Sequence, residues 1–288
     1  MNAAISSDPT PEPMAAPLRV GVLMSVYAHD TAADFERALG SMLRQQLRPG
    51  VEMRIYLGVD GPIAQGVEQV IAQHQSHLHR VVRSIKNVGL AVTLNALIAT
   101  RQDESFYFRM DADDVSQPQR LQTQIDHMQA HPSVDILGTD IVEIDTVSGE
   151  RREVSFLDRP EHLRRFICFR PPVAHPTVCF RRSVFDRAGP YPLKHGNEDI
   201  AMWFRCAALG MRFDNVHQPL LEFSVSSTFW RRRSWSKAWG EFTSYWRGIL
   251  QLWGVHWRLV FPVIRLLIRL SPTPVSRFVY RWRASALS

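Results

Sequence analysis

Between residues 19 and 110, four short runs rich in apolar and β-branched residues alternate with three stretches of helical periodicity. No other feature constrains the fold as tightly. RVGVLMSVY (19–27), MRIYLGV (53–59), RVVRSI (80–85) and FYFRM (106–110) read as strands. After the first, Asp30 or Thr31 can cap a helix in which Phe35, Leu39, Met42 and Leu43 fall at i, i+4, i+7 and i+8. Pro49-Gly50 ends that helix, and further helices are expected over 63–75 and 90–100. Strands joined by helical crossovers pair in parallel, so the pattern predicts an α/β chain with helices on both faces of a sheet. Ligands of such sheets gather at the carboxyl ends of the strands. The polar residues found there are Ser25-Val26-Tyr27, Asp60, Lys86-Asn87 and Asp111 to Asp114.

The second half is more mixed. It predicts a helix over 117–128, a strand or bent hairpin over 135–145, a strand over 176–181, a helix over 199–209 and short strands at 212–216 and 220–225.

Several classes are excluded early. No G-x-G-x-x-G or Walker sequence occurs, which argues against dehydrogenases and P-loop enzymes. The three cysteines, Cys168, Cys179 and Cys206, are odd in number and fit no zinc spacing, so a reduced, cytosolic setting is expected. Residues 1–17, with prolines at 9, 11, 13 and 17, read as a disordered leader without the features of a secretory signal. No run of about eighteen apolar residues exists to suggest a transmembrane helix.

The chemistry concentrates in a few places. Asp111-Ala112-Asp113 follows a buried strand, and paired carboxylates there suit Mg²⁺ or Mn²⁺, which prefer oxygen ligands and share them with substrate phosphates. A helix-capping cluster is the plainer alternative. Asp60 could accept a hydrogen bond from a nucleobase or ribose, or simply make a turn with Gly61. Lys86-Asn87-Val88-Gly89 offers a lysine and backbone amides to phosphate at a helix N-terminus, or is a plain turn. Glu198-Asp199 could supply a general base or a helix cap. His175 is a candidate metal or phosphate contact.

Taken together, LMSVY (23–27), VDGP (59–62), KNVGLAVTLNALI (86–98), RMDADDVSQPQRLQTQI (109–125), HPTVCFRRSVFDRAGPY (175–191) and NEDIAMWFR (197–205) resemble the family 2 glycosyltransferases of the GT-A fold. The resemblance covers roughly residues 18–225 and is to bacterial enzymes of exopolysaccharide, capsule and O-antigen assembly, including the amylovoran-biosynthesis type. It implies a Rossmann-like mixed sheet and an inverting single displacement. Ser25, Val26, Tyr27, Asp60, Lys86, Asn87, Asn95, Arg109 and Asp111 would surround a nucleotide-sugar donor. Asp113 would coordinate the metal, with Asp111 near the ribose or sugar and also a candidate ligand; His175 remains a candidate ligand from the residue-level reading alone. Asp199 would be the base, Glu198 would touch the acceptor, and Trp203 and Arg205 would lie on the acceptor side. Ala28 stands where the family often has Asn, and Val59 where it often has a second acid, so the pattern leaves the nucleobase open between a UDP-sugar and GDP- or dTDP-sugars. The Q-x-x-R-W of processive synthases is missing, which favours single additions. A nucleotidyltransferase-like enzyme and a noncatalytic membrane-surface scaffold are the rival readings.

Residues 226–288 form a separate expectation. From Trp230 onward there are eleven Lys/Arg against one acid, Glu241, a net charge of +10, while the first 229 residues carry 23 basic and 27 acidic side chains. Trp235, Trp239, Trp246, Trp253 and Trp257, with Phe242 and Ile249, fall on one helical stripe. This predicts a helical tail held by an anionic membrane surface, with packing on the domain as the alternative. The chain is expected to be cytoplasmic and peripheral on the inner face of the cell membrane, to use a lipid-linked saccharide acceptor, and to bind no nucleic acid.

Overall fold

The computed structural model describes residues 16–156, 166–193, 197–225 and 235–271. The four expected strands form as β1 (Leu18–Tyr27), β2 (Val51–Asp60), β3 (Leu78–Ser84) and β4 (Phe106–Met110). They pair in parallel in the order β3-β2-β1-β4. Val20, Val22, Met24 and Val26 of β1 are all fully buried, as expected for a strand at the centre of a sheet covered on both faces. Thr31 proves to be the cap of α1 (Ala32–Leu43), its side chain accepting from the Asp34 amide at 3.1 Å. Asp30 is thereby left for another use. The crossovers continue with α2 (Gln65–Gln73) and α3 (Leu90–Ala99).

Beyond β4 the sheet becomes mixed. Following β5 (Val115–Ser116) and α4 (Arg120–Ala130), the chain adds β6 (Ile136–Asp145), β7 (Arg151–Val154) and β8 (Cys179–Arg181). β8 runs antiparallel to β4 and to β6. The two short strands expected near 212–225 are one long strand, β9 (Phe213–Val225), parallel to β6. Its ladder slips between Thr139 and Ile141, opposite Pro219, because proline has no N–H to give. The strand expected over 176–181 begins instead with a 3₁₀ turn, His175–Thr177.

Two apolar cores fill the layers. Val20, Val22, Met24 and Val26 face α1, α2 and α4, while Leu23, Tyr56 and Tyr107 face α3, α5 (Arg182–Ala188) and α6 (Glu198–Ala208). This alternation along β1 is the period of two that a strand imposes.

The last described elements are α7 (Trp235–Trp253) and α8 (Val260–Leu270). Helix α7 packs on α6, covering Phe204 with Tyr245, whose ring lies edge-on at 5.6 Å. A Cβ built on Gly248 would come within 2.1 Å of the Phe204 ring, so glycine permits the approach. The expected tryptophan stripe is therefore divided. Ile249 is fully buried against the domain, whereas Trp235 and Trp239 are 63% and 49% exposed. Arg231–Arg233, Arg277, Arg281, Arg283 and residues 1–15 lie outside the described residues. Among the described residues, no helix is long and apolar enough to cross a membrane.

Candidate active site

Three carboxyls converge beyond the ends of β1 and β4. Asp111 is paired with Arg109, whose buried guanidinium also donates to the carbonyls of Leu23 and Met110. Burial, and secondarily the charge of Asp111, pushes the Asp113 carboxyl up to about 6. Asp30 is pushed up to about 7 by burial, with the charges of Asp113 and Asp111 adding to it and the Tyr27 amide, 2.8 Å away, opposing it. Like charges held this close disfavour one another's ionised forms, and a divalent cation would relieve that cost. Among the described residues no three His, Cys, Asp or Glu side chains form a ready-made metal cage. The residues fit a cation that completes its shell with phosphate oxygens, as Mg²⁺ commonly does.

The acidic loop is pinned from outside. Asp114 is fully buried, and its Oδ1 accepts from the Ser224 amide at 2.9 Å while Oδ2 has no hydrogen-bond partner. Burial, and then the charges of Asp111 and Asp113, raises its pKa well above the ordinary value. Below it, fully buried Arg120 donates to the Arg109 carbonyl at 2.6 Å. Helix α4 starts only at Arg120, after Gln119 and without a side-chain cap, so Asp111 and Asp113 are not its capping cluster.

Beside them, β1 and β2 end in register at Tyr27 and Asp60. Both oxygens of the Asp60 carboxylate are engaged, accepting from the amides of Val88 at 2.7 Å and Gly89 at 2.9 Å. Those two amides therefore serve Asp60 and not a phosphate. Gly61, at φ +83°, lies so close to the backbone of Lys86 and Asn87 that a Cβ would meet the Asn87 nitrogen at 2.5 Å. Asp60 thus locks the β3–α3 loop and leaves Lys86 and Asn87 exposed at its rim. Ser25 and Tyr27 are partly exposed, but Val26 is turned into the core by the strand's alternation, leaving its backbone alone for a ligand.

Glu198 and Asp199 occupy the first turn of α6, after Asn197. Burial, and next the charge of Glu198, pushes Asp199 up to about 7, poised for proton transfer near neutral pH. His175 packs against Trp203 of this helix and pairs with Tyr191: its Nε2 lies 3.0 Å from the Tyr191 hydroxyl, and its ring meets Trp203 edge-on at 5.9 Å. Desolvation, and then the charge of Arg109, holds the imidazole well below its ordinary pKa and hence neutral. Tyr191 feels both Arg109 and Asp199, although its own ionisation is suppressed mainly by burial. Its backbone is fixed by Asn95, which donates to the carbonyl at 2.8 Å and accepts from the amide at 2.7 Å.

The structure redistributes several expected roles. Asn95 spends its side-chain amide on Tyr191. His175 sits among aromatic rings with its Nε2 at Tyr191. Trp203, 1% exposed and packed between Phe180 and Phe213, is a core residue with no face for an acceptor. Arg205 donates to the carbonyls of Ala188 at 3.1 Å and Pro190 at 2.7 Å, holding a turn. Sequence reasoning missed Asp30, treated only as a cap, and Tyr191. The signal for Asp30 was its place three residues past a strand end, next to a better cap.

Known protein families match most of this chain. The description "Glycosyl transferase family 2" fits residues 22–189, and "Glycosyl transferase family group 2" fits residues 108–287. The chain belongs to glycosyl transferase family 2. It is therefore a glycosyltransferase on an α/β fold of the GT-A type. It is 29% identical over 262 residues to the amylovoran biosynthesis glycosyltransferase AmsE of Erwinia amylovora, covering 90% of this chain and 97% of that one. Among solved structures, S. aureus TarS in complex with UDP-GlcNAc superposes with a TM-score of 0.63 at 15% identity, over 87% of this chain and 72% of TarS. The mannosyltransferase PcManGT of Pyrobaculum calidifontis, in complex with GDP-Man and Mn²⁺, gives 0.60 at 17% identity, over 98% and 84%. At these identities the two structures speak for the fold.

Proposed function

We propose that this glycosyltransferase is an inverting, divalent-metal-dependent, non-processive enzyme of cell-surface polysaccharide assembly. It moves one sugar from a nucleotide-sugar, taken to be a UDP-sugar, to a lipid-linked saccharide. The observation that carries the reading is the set of acids after β1 and β4, Asp30, Asp111 and Asp113, whose charges act on one another, in a chain that also presents Asp199, its carboxyl pushed up to about 7, in the first turn of α6. The relationship to AmsE supports the pathway class, and the UDP-GlcNAc and GDP-Man of the two superposable structures support the donor class.

Ionised Asp199 takes the proton from an acceptor hydroxyl. That oxygen forms the new bond to the anomeric carbon as the bond to the diphosphate oxygen breaks, so the nucleoside diphosphate leaves with the electron pair and the configuration inverts. Asp113 and Asp111 would hold Mg²⁺ or Mn²⁺, which neutralises charge on the departing diphosphate. Arg109 fixes Asp111, and Asp60 fixes the loop that carries Lys86 and Asn87. The basic segment from Trp230 would keep the enzyme peripheral on the cytoplasmic face of the membrane, where a lipid-linked acceptor is found.

The test is transfer from a panel of nucleotide-sugars with Mg²⁺ or Mn²⁺, in the wild type and in Asp113→Ala. Release of nucleoside diphosphate that falls at least about a hundredfold in the variant is expected. Unchanged turnover, or release of pyrophosphate, would refute the assignment.

A further inference from the structure

Helix α8 is built inside out. A surface helix ordinarily turns its charges to water and its apolar stripe to the core. Here the two arginines face the protein. Arg265 donates to Glu241 Oε1 at 3.1 Å and to the Phe169 carbonyl at 2.7 Å, with its guanidinium 4.4 Å from the Tyr245 ring centroid. Arg269 takes the other oxygen of Glu241. The residues left outside are Val260, Val263, Ile264, Leu267 and Leu270, spaced as one helical face and 39–63% exposed. Val255 and Trp257, just ahead of the helix in the chain, are exposed as well, and the Trp257 ring meets Phe261 at 5.4 Å.

We propose that this outer face of α8 lies flat in the headgroup boundary of an anionic phospholipid bilayer, with Trp257 anchoring its N-terminal end. The proposal rests on the peripheral-membrane reading above and deepens it, because the sequence pattern had pointed to the tryptophan stripe of α7, part of which is committed to the domain. Three observations favour lipid as the occupant. The segment from Trp230 carries +10, complementary to anionic headgroups. Its one acid, Glu241, is buried and neutralised by Arg265 and Arg269, so it offers anionic lipid no repulsion. The same pairing turns both arginines away from the apolar face and toward Glu241, Arg265 being the more covered of the two. An eleven-residue helix is about 16 Å long, half the thickness of the hydrocarbon layer, so it suits lying along a membrane and not crossing it.

The test uses the full-length protein and sedimentation with vesicles of phosphatidylcholine, with and without phosphatidylglycerol. Wild type is expected to sediment with the anionic vesicles, and Ile264→Glu with Leu267→Glu to weaken that binding at least about tenfold. Both positions are exposed, so the thermal transition and donor hydrolysis in solution should be unchanged. As a second measurement, bromolipid quenching of fluorescence should fall in Trp257→Phe. If the wild type ignores every vesicle, the membrane reading itself fails. Wild-type binding that the double variant retains would overturn the assignment to α8 and leave the membrane reading standing. If light scattering finds a dimer that Leu267→Glu dissolves, a second copy covers the face and the proposal is wrong.

Discussion

Replacing Asp199 with asparagine should make the protein more stable and inactive. The Asp199 carboxyl moves from 3.8 to about 7 on folding, chiefly through burial. At 1.36 kcal/mol per pKa unit the rise corresponds to at most about 4 kcal/mol. The side chain is partly exposed, and screening by solvent brings the expected effect to about 1–2 kcal/mol. The sign follows from proton counting. Between pH of about 4 and about 7 the unfolded chain has released the proton that the folded protein keeps, so native stability falls as pH rises through that window and then levels off. Asparagine does not titrate. Asp199→Asn should therefore match the wild type near the acid end of the window and exceed it by about 1–2 kcal/mol near pH 8. Urea unfolding at about pH 5 and pH 8 measures the difference. The same variant should lose transfer by about 10²–10⁴-fold, and wild-type kcat/KM should decline about tenfold per pH unit below 7. A stability difference independent of pH, or full transfer by the variant, would refute the reasoning.

Two other substitutions probe what positions the site. Gly248→Val would drive a side chain into the Phe204 ring, which is 1% exposed, costing about 1–3 kcal/mol in urea unfolding and lowering kcat by disturbing the helix that carries Asp199. Asp60→Asn removes one of two carboxylate oxygens serving Val88 and Gly89, so a loss of about 1–2 kcal/mol and a higher KM for the donor are expected, read by unfolding and initial rates. Removing residues 230–288 wholesale is a poor membrane test, because it would strip Tyr245 and Ile249 from the domain core.

The sequence by itself determined the elements and where chemistry could occur. Strand and helix periodicities are local, so β1, β4 and α3 emerged within one or two residues of their observed bounds, and the polar residues after the strand ends were visible as a set. What each of those residues does was decided by contacts between distant parts of the chain. Asp60 needed Val88 and Gly89, Asn95 needed Tyr191, and the acidic loop needed Ser224 to be held in place. Trp203 carried the same letter whether it met an acceptor or filled a core, and only packing against Phe180 and Phe213 settled it. The arginines of α8 pair with Glu241, 24 residues from Arg265 and 28 from Arg269, a contact that no local pattern records. Direction and burial of a side chain are properties of its tertiary neighbours, and a one-dimensional pattern carries no record of them.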